Sequence, residues 1–281
     1  MDGQKQKVGE NSIAVQAGGD VNIGMNYTEV KDLVILLFEQ NFPKLVDSAA
    51  ARAFQNIKEY IASLESRLHQ DADKIDFNKF SDPNIQYLLN TTIQNYARKG
   101  NSVNMNFLME SFLLTLHKES TSLLDIVSEQ VIAVLPKMTK ECIDFLTIVQ
   151  YVHDFKFRGI SSIEMLESYN KKVFDSLNSN ETLSFQTVPY LQSLGAFTQG
   201  VFARDPYRSL ANQYQELSSD LEEDEWKNAI HDNCQYLLKL IEQIESKHLN
   251  AMHLTPMGRL IALMNLKMIL QMDIDYKIWI K

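Results

Sequence analysis

The feature that most constrains this chain is the helical spacing of its apolar residues, sustained from about residue 28 to residue 270. Val30, Leu33, Val34, Leu37 and Phe38 recur on one helical face, and Thr28 reads as the cap that opens it. From Lys44 to Gln70 a longer stripe runs through Ala53, Ile57, Ile61, Leu64 and Leu68, which predicts a helix of roughly 40 Å. Ser81-Asp82-Pro83 is a helix start and Gly100 a matching stop. Further helices are predicted over 103–118 and 119–134, after Thr139, and after Ser161 or Ser162. TVPYLQSLGAF reads as a short helix ending at Gly195, and Thr255-Pro256 opens the last helix. The acids of SSDLEEDE suit the positive end of a helix drawn from Leu221 to Leu249. Residues 71–80 and 178–184 read as connectors, GVFARDP as a turn or small hairpin, and DIDYKIWIK as a short terminal strand.

One stretch departs from this period. In GENSIAVQAGGDVNIG, residues 9–24, Ile13 and Val15 alternate with polar neighbours. Gly18, Gly19 and Asp20 then make a corner, and Val21 and Ile23 resume the alternation. The pattern predicts a short β-hairpin or two rungs of a β-solenoid. Its four apolar side chains bury at most ~6–12 kcal/mol of transfer free energy. Ordering the backbone costs about 1–2 kcal/mol per residue, so a single copy does not fold by itself. Ile13, Val15, Gly18, Gly19, Asp20, Val21 and Ile23 are therefore expected to be oligomerisation residues, with the segment completed by other copies of the chain, most simply as a trimer; the alternative reading is a segment docked on its own helical body or a disordered tail.

Composition narrows the function classes. The chain carries 27 Lys and Arg against 36 Asp and Glu, a formal net charge of -9. A negative body without a basic stripe disfavours nucleic acid as a partner. Cys142 and Cys234 are the only cysteines and form no CxxC, which fits a reducing compartment. The polar opening MDGQKQKVGE and the absence of a long apolar run lead to the expectation of a cytoplasmic protein without a transmembrane segment.

Three passages carry a family resemblance. GENSIAVQAGGDVNIG resembles the Gly-Asp-Val-Asn-Ile segments of bacterial conflict and phage-defence proteins. VLPKMTKECIDFLTIV with YLQSLGAF, and then HLTPMGRLIALMN, resemble the helical abortive-infection alpha group across about residues 130–265. The matched residues are Leu191, Leu194, Gly195, Leu254, Thr255 and Gly258. The resemblance implies a bacterial antiviral factor and carries over no catalytic residue. The spacing between the Leu-Gly turn and the Leu-Thr cap is long for a compact winged helix.

No motif for phosphate binding, dinucleotide binding, a nucleophile elbow or a zinc protease occurs. Cys142 shares a phase with Phe145 and Val149 and reads as core rather than as a nucleophile. His153-Asp154 and His231-Asp232 are neighbours whose side chains diverge on a helix, and the acids at 220–225 lack the alternation of a calcium loop. Gly18-Gly19 reads as a turn rather than a phosphate cradle. Arg204 and Arg208 follow the Leu-Gly turn but stand in a region poor in other basic residues. Met252, Met257, Met264, Met268 and Met272 make a Met-rich end that suits core or, failing that, a partner or membrane groove. The expected fold is mainly α: an N-terminal β segment (1–27), an N-terminal helical domain (28–135) and a C-terminal helical domain (136–281) with a degenerate winged-helix character. The expected function is a non-enzymatic phage-defence protein that works through homo-oligomeric assembly and contact with a protein partner, with no cofactor and no metal. The alternatives are a nucleic-acid-binding regulator and a membrane-active effector.

Overall fold

The computed structural model describes residues 26–41, 47–177 and 186–280. Within them the chain is mainly α, with thirteen α-helices and a single two-stranded sheet among the described residues. The predicted β segment, residues 9–24, lies outside the described residues.

The first five helices are α1 (Tyr27–Asn41), α2 (Asp47–Gln70), α3 (Pro83–Lys99), α4 (Met105–Leu116) and α5 (Ser122–Val134). The starts follow the expected chemistry. Asp82, Asn104 and Thr121 each accept a backbone N–H two or three residues on, and Pro83 fills the first turn of α3, where no donor is needed. One cap differs from expectation. Asn26, not Thr28, opens α1: its side chain accepts from the Glu29 N–H while Glu29 accepts from the Asn26 N–H, a reciprocal pair that Thr28 with Lys31 cannot make.

Then come α6 (Lys140–His153), α7 (Ile163–Ser176), α8 (Thr187–Ser193), α9 (Pro206–Gln213), α10 (Gln215–Ser218), α11 (Glu223–Asn233), α12 (Gln235–Ser246) and α13 (Pro256–Leu270). Two helices form the centre. Every residue of α6 from Cys142 to His153 is buried, and α13 is buried along most of its length. They pack on each other, which is why both lack a polar face. From this pair α13 reaches α4 and α5 on one side and α7 on the other, so the core runs continuously past residue 135.

Two sequence expectations need correction. The helix predicted from Leu221 to Leu249 is two helices, because Cys234 adopts φ -123° and ψ 63° and breaks the ladder between α11 and α12. A half-buried carboxylate fixes the break: Glu167 accepts the free Tyr236 N–H at 2.7 Å. The alternation in DIDYKIWIK does not make a strand. Tyr276–Ile278 is a 3-10 turn that buries Tyr276 and Ile280, with Asp275 capping it. No helix among the described residues is long and apolar enough to cross a membrane.

Candidate functional site

The six residues of the sequence resemblance, separated by up to 67 positions, meet at one place. Gly195 ends α8 with φ +76°, a left-handed turn that side-chain-bearing residues rarely adopt. The chain then runs into β1 (Phe197–Gln199), which pairs antiparallel with β2 (Met252–Leu254) in the register Phe197 to Leu254 and Gln199 to Met252. Thr255 locks the pair. Its N–H donates to the Ala196 carbonyl at 3.1 Å and its hydroxyl to the Gly195 carbonyl at 2.7 Å, while the hydroxyl oxygen accepts the Gly258 N–H. Gly258 lies so close that a Cβ there would stand 2.2 Å from the Ala196 oxygen. Leu191 and Leu254 are buried beneath this clasp. The expected turn at GVFARDP is a bend at Val201–Phe202, and there is no local hairpin there: β1 pairs with a strand coming from beyond α12.

Beyond β1 the backbone is pinned twice, by Gly200 N–H to Ala251 O at 2.6 Å and Arg204 N–H to Asn250 O at 2.9 Å. Between these anchors Val201 and Phe202 point into solvent, 90% and 82% exposed. The guanidinium of Arg204 is committed inward, donating to both Asp154 oxygens at 3.1 and 3.2 Å and to the Met252 carbonyl. Arg208 is exposed.

His153 lies below the clasp. Its Nδ1 is 3.2 Å from the Ser209 hydroxyl, which itself donates to the Asp205 carbonyl. The network thus assigns the ring proton to Nδ1 and makes Nε2 a buried acceptor. Burial first, then Arg204 and His253, push the ring down to about 3, so it is neutral near pH 7. Asp154 pairs with Arg204 rather than with the ring, and Ser209 gives its proton away from it. The set therefore lacks the base-activated hydroxyl of nucleophilic catalysis.

The other candidates have structural places. Cys142 is buried beside Thr139, the cap of α6, with 3.3 Å between Oγ1 and Sγ. His231 meets the Tyr207 hydroxyl at 3.1 Å. Glu222 and Glu225 form a capping box at the start of α11. Among the described residues no cluster of His, Cys, Asp or Glu converges to hold a metal ion. Ile13, Val15, Gly18, Gly19, Asp20, Val21 and Ile23 lie outside the described residues.

The second place of interest lies at the Met-rich end, and its charged residues carry no sequence motif. Glu110 on α4 is largely buried, its side chain 12% exposed, and receives three donors from three elements. Arg67 of α2 pairs with Oε2, and Lys267 of α13 and the Tyr276 hydroxyl reach Oε1 at 2.8 and 3.1 Å. Burial alone would raise the carboxyl, but Lys267 and Arg67 outweigh it and hold it below its ordinary range. Tyr276 is held protonated, by burial first and then by the adjoining carboxylate. Around this group lie three adjoining cavities of about 590, 510 and 290 Å³, all lined by Glu110, Lys267 and Asp273. Phe107, Met264, Met268 and Met272 form the apolar wall of the largest. The Met-rich end thus divides: Met252, Met257 and Met264 are buried, while Met268 and Met272 are exposed at the recess. One signal in the sequence marks the place. Glu110 is the only charge in MNFLMESFLLTL, and Lys267 is the only charge in the last eleven residues of α13. A lone charge in a buried helix needs a partner, and these two find each other.

A family model matches the chain over residues 24–227 and 196–280. No curated protein and no solved structure matches it. The matched stretches take in the clasp and the Glu110 recess together, and the chain belongs to this family, whose function is unknown.

Proposed function

We propose that this protein is a non-enzymatic bacterial defence factor of the abortive-infection type, which assembles into homo-oligomers and acts by contact with a protein partner. Assembly rests on the energetics of residues 9–24, where one copy has too little apolar surface to order itself. The observation that carries partner contact is the Val201–Phe202 tip. Two large apolar side chains stand in water on a loop fixed at both ends by backbone hydrogen bonds and backed by the clasp. A pre-ordered tip loses little entropy on binding, and covering each side chain contributes roughly 1.5–3 kcal/mol. The defence assignment rests on the resemblance of residues 130–265 and of the N-terminal segment.

Plaque counts on a bacterial lawn expressing the protein test the reading, with V201S/F202S and a chain lacking residues 1–25 alongside. Both variants are expected to lose protection while keeping wild-type helical circular dichroism, and the truncated chain to scatter light as a smaller species. Full protection by V201S/F202S removes the tip from the mechanism. A wild-type protein that protects against no phage in a broad panel removes the defence reading.

A further inference from the structure

The unspent hydrogen-bonding capacity of the Glu110 recess is on the donor side. Both carboxylate oxygens of Glu110 are engaged, Oε1 by Lys267 and Tyr276 and Oε2 by Arg67. Arg67 carries five N–H groups and Lys267 three, and each gives one to Glu110. The second carboxylate near each cation is beyond hydrogen-bond distance: Asp71 stands 3.7 Å from Arg67 Nε, and Asp273 stands 3.6 Å from Lys267 Nζ. Asp273 is 93% exposed and Asp71 is shared with Lys74, so neither neutralises the inner wall as Glu110 does. Arg67 and Lys267 thus share one largely buried carboxylate, Glu110, and reach Asp71 and Asp273 only as longer ion pairs outside hydrogen-bond distance. The same cavity is lined by Phe107 and by the thioethers of Met264, Met268 and Met272. Met side chains reshape around varied apolar groups, and a cavity of about 590 Å³ lies within the range of small-molecule sites.

We infer that this recess binds an amphipathic organic anion, its head on Arg67 and Lys267 beside Glu110 and its apolar body along Phe107, Met264, Met268 and Met272. The head competes with Glu110 for the same cations. The recess therefore prefers a single negative charge on an apolar body to a compact, strongly hydrated anion such as phosphate. The ligand also bridges α2, α4 and α13 and touches Tyr276, so binding braces the C-terminal turn against the body.

Fluorescence titration of the full chain with 1-anilinonaphthalene-8-sulfonate tests this, followed by displacement with decanoate, decanol, decyltrimethylammonium or inorganic phosphate. Saturable binding is expected, with decanoate displacing the probe at least about tenfold more effectively than decanol or the cation of equal tail length, and phosphate having no effect. Glu110→Gln removes the internal competitor and is expected to tighten binding several-fold, whereas a purely structural Glu110 predicts weaker binding or none. Met268 is 44% exposed and its replacement leaves the core intact, so M268E carries the test even where E110Q fails to fold. M268E is expected to weaken the probe about tenfold at unchanged melting temperature, by placing a like charge on the wall. Equal displacement by decanoate and decyltrimethylammonium, unchanged affinity in M268E, or no saturable signal at about 1 mM probe overturns the proposal.

Discussion

Gly258→Ala is the substitution on which local propensity and packing disagree in sign. In a helix, alanine is favoured over glycine by up to about 1 kcal/mol, so α13 taken alone gains from the change. The clasp opposes it. The new Cβ would stand 2.2 Å from the Ala196 oxygen, and real Cβ atoms essentially never come closer than 3.0 Å, so one element must move by at least 0.8 Å (3.0 minus 2.2). The obstacle is backbone, which cannot rotate away as a side-chain end can. That same oxygen accepts the Thr255 N–H at 3.1 Å and lies 3.2 Å from its hydroxyl, so movement weakens the bonds joining α13 to the α8 turn. Overpacking costs about 1–3 kcal/mol and each strained hydrogen bond about 0.5–1.5, which after the propensity gain leaves a net loss of about 2–3 kcal/mol. Urea unfolding followed by circular dichroism reads this as a lower midpoint at unchanged slope. Hydrogen exchange should show the Thr255 amide losing protection ahead of α6. Gly159, with φ +74° and open space around it, is the control: its alanine variant bears backbone strain alone and should lose about 1 kcal/mol. If G258A unfolds at the same urea concentration as wild type, or a higher one, the close approach at Ala196 is not what selects glycine.

His153 predicts an acid limb. Its folded value of about 3 lies below the unfolded value near 6.5, so between them the unfolded chain binds a proton that the folded chain does not, and stability falls as pH falls. From pH 6.5 to 5, above the range of ordinary carboxylates, the loss should be about 1.5 kcal/mol, and it should be largely absent in H153Q. An equal slope in both proteins rejects the assignment. The two thiols should resist a thiol reagent until denaturant is added: Cys142 is buried against the cap of α6, and burial, then Glu167, push Cys234 up to about 12. Rapid labelling of either in the native protein contradicts its placement.

Much of the helical body was legible because its signals are local. Asp82-Pro83, Thr139, Ser162 and Thr255 cap helices in the structure as their sequence context predicts. Misreadings arose where a distant residue decided. Nothing near Cys234 in sequence breaks a helix, and the residue that receives the freed Tyr236 N–H is Glu167, 69 positions away. The alternation in the last residues suits a strand, but a strand needs an edge to pair with. Here Tyr276 is drawn instead to Glu110, 166 positions earlier, and the chain turns to reach it.

The clasp and the recess were legible to different degrees for one reason. At the clasp each residue has a duty that restricts its type: a left-handed turn at Gly195, a hydroxyl cap at Thr255, a missing side chain at Gly258. Such duties leave a pattern of residue types, and the pattern can be read even though its halves lie 60 residues apart. At the recess no residue type is unusual by itself, since Arg, Glu, Lys and Tyr are common on helix surfaces. What is unusual is position, Glu110 and Lys267 each alone among apolar neighbours. Burying either charge alone costs several kcal/mol, so each implies an opposite charge nearby in the fold. Two such helices in one chain, one bearing the anion and the other the cation, meet in the fold through Glu110 and Lys267, with Arg67 of α2 joining the pair. The same logic explains why a ligand site forms there: packing two lone charges together leaves long polar side chains where apolar ones would have closed the core, and the space they leave is the recess.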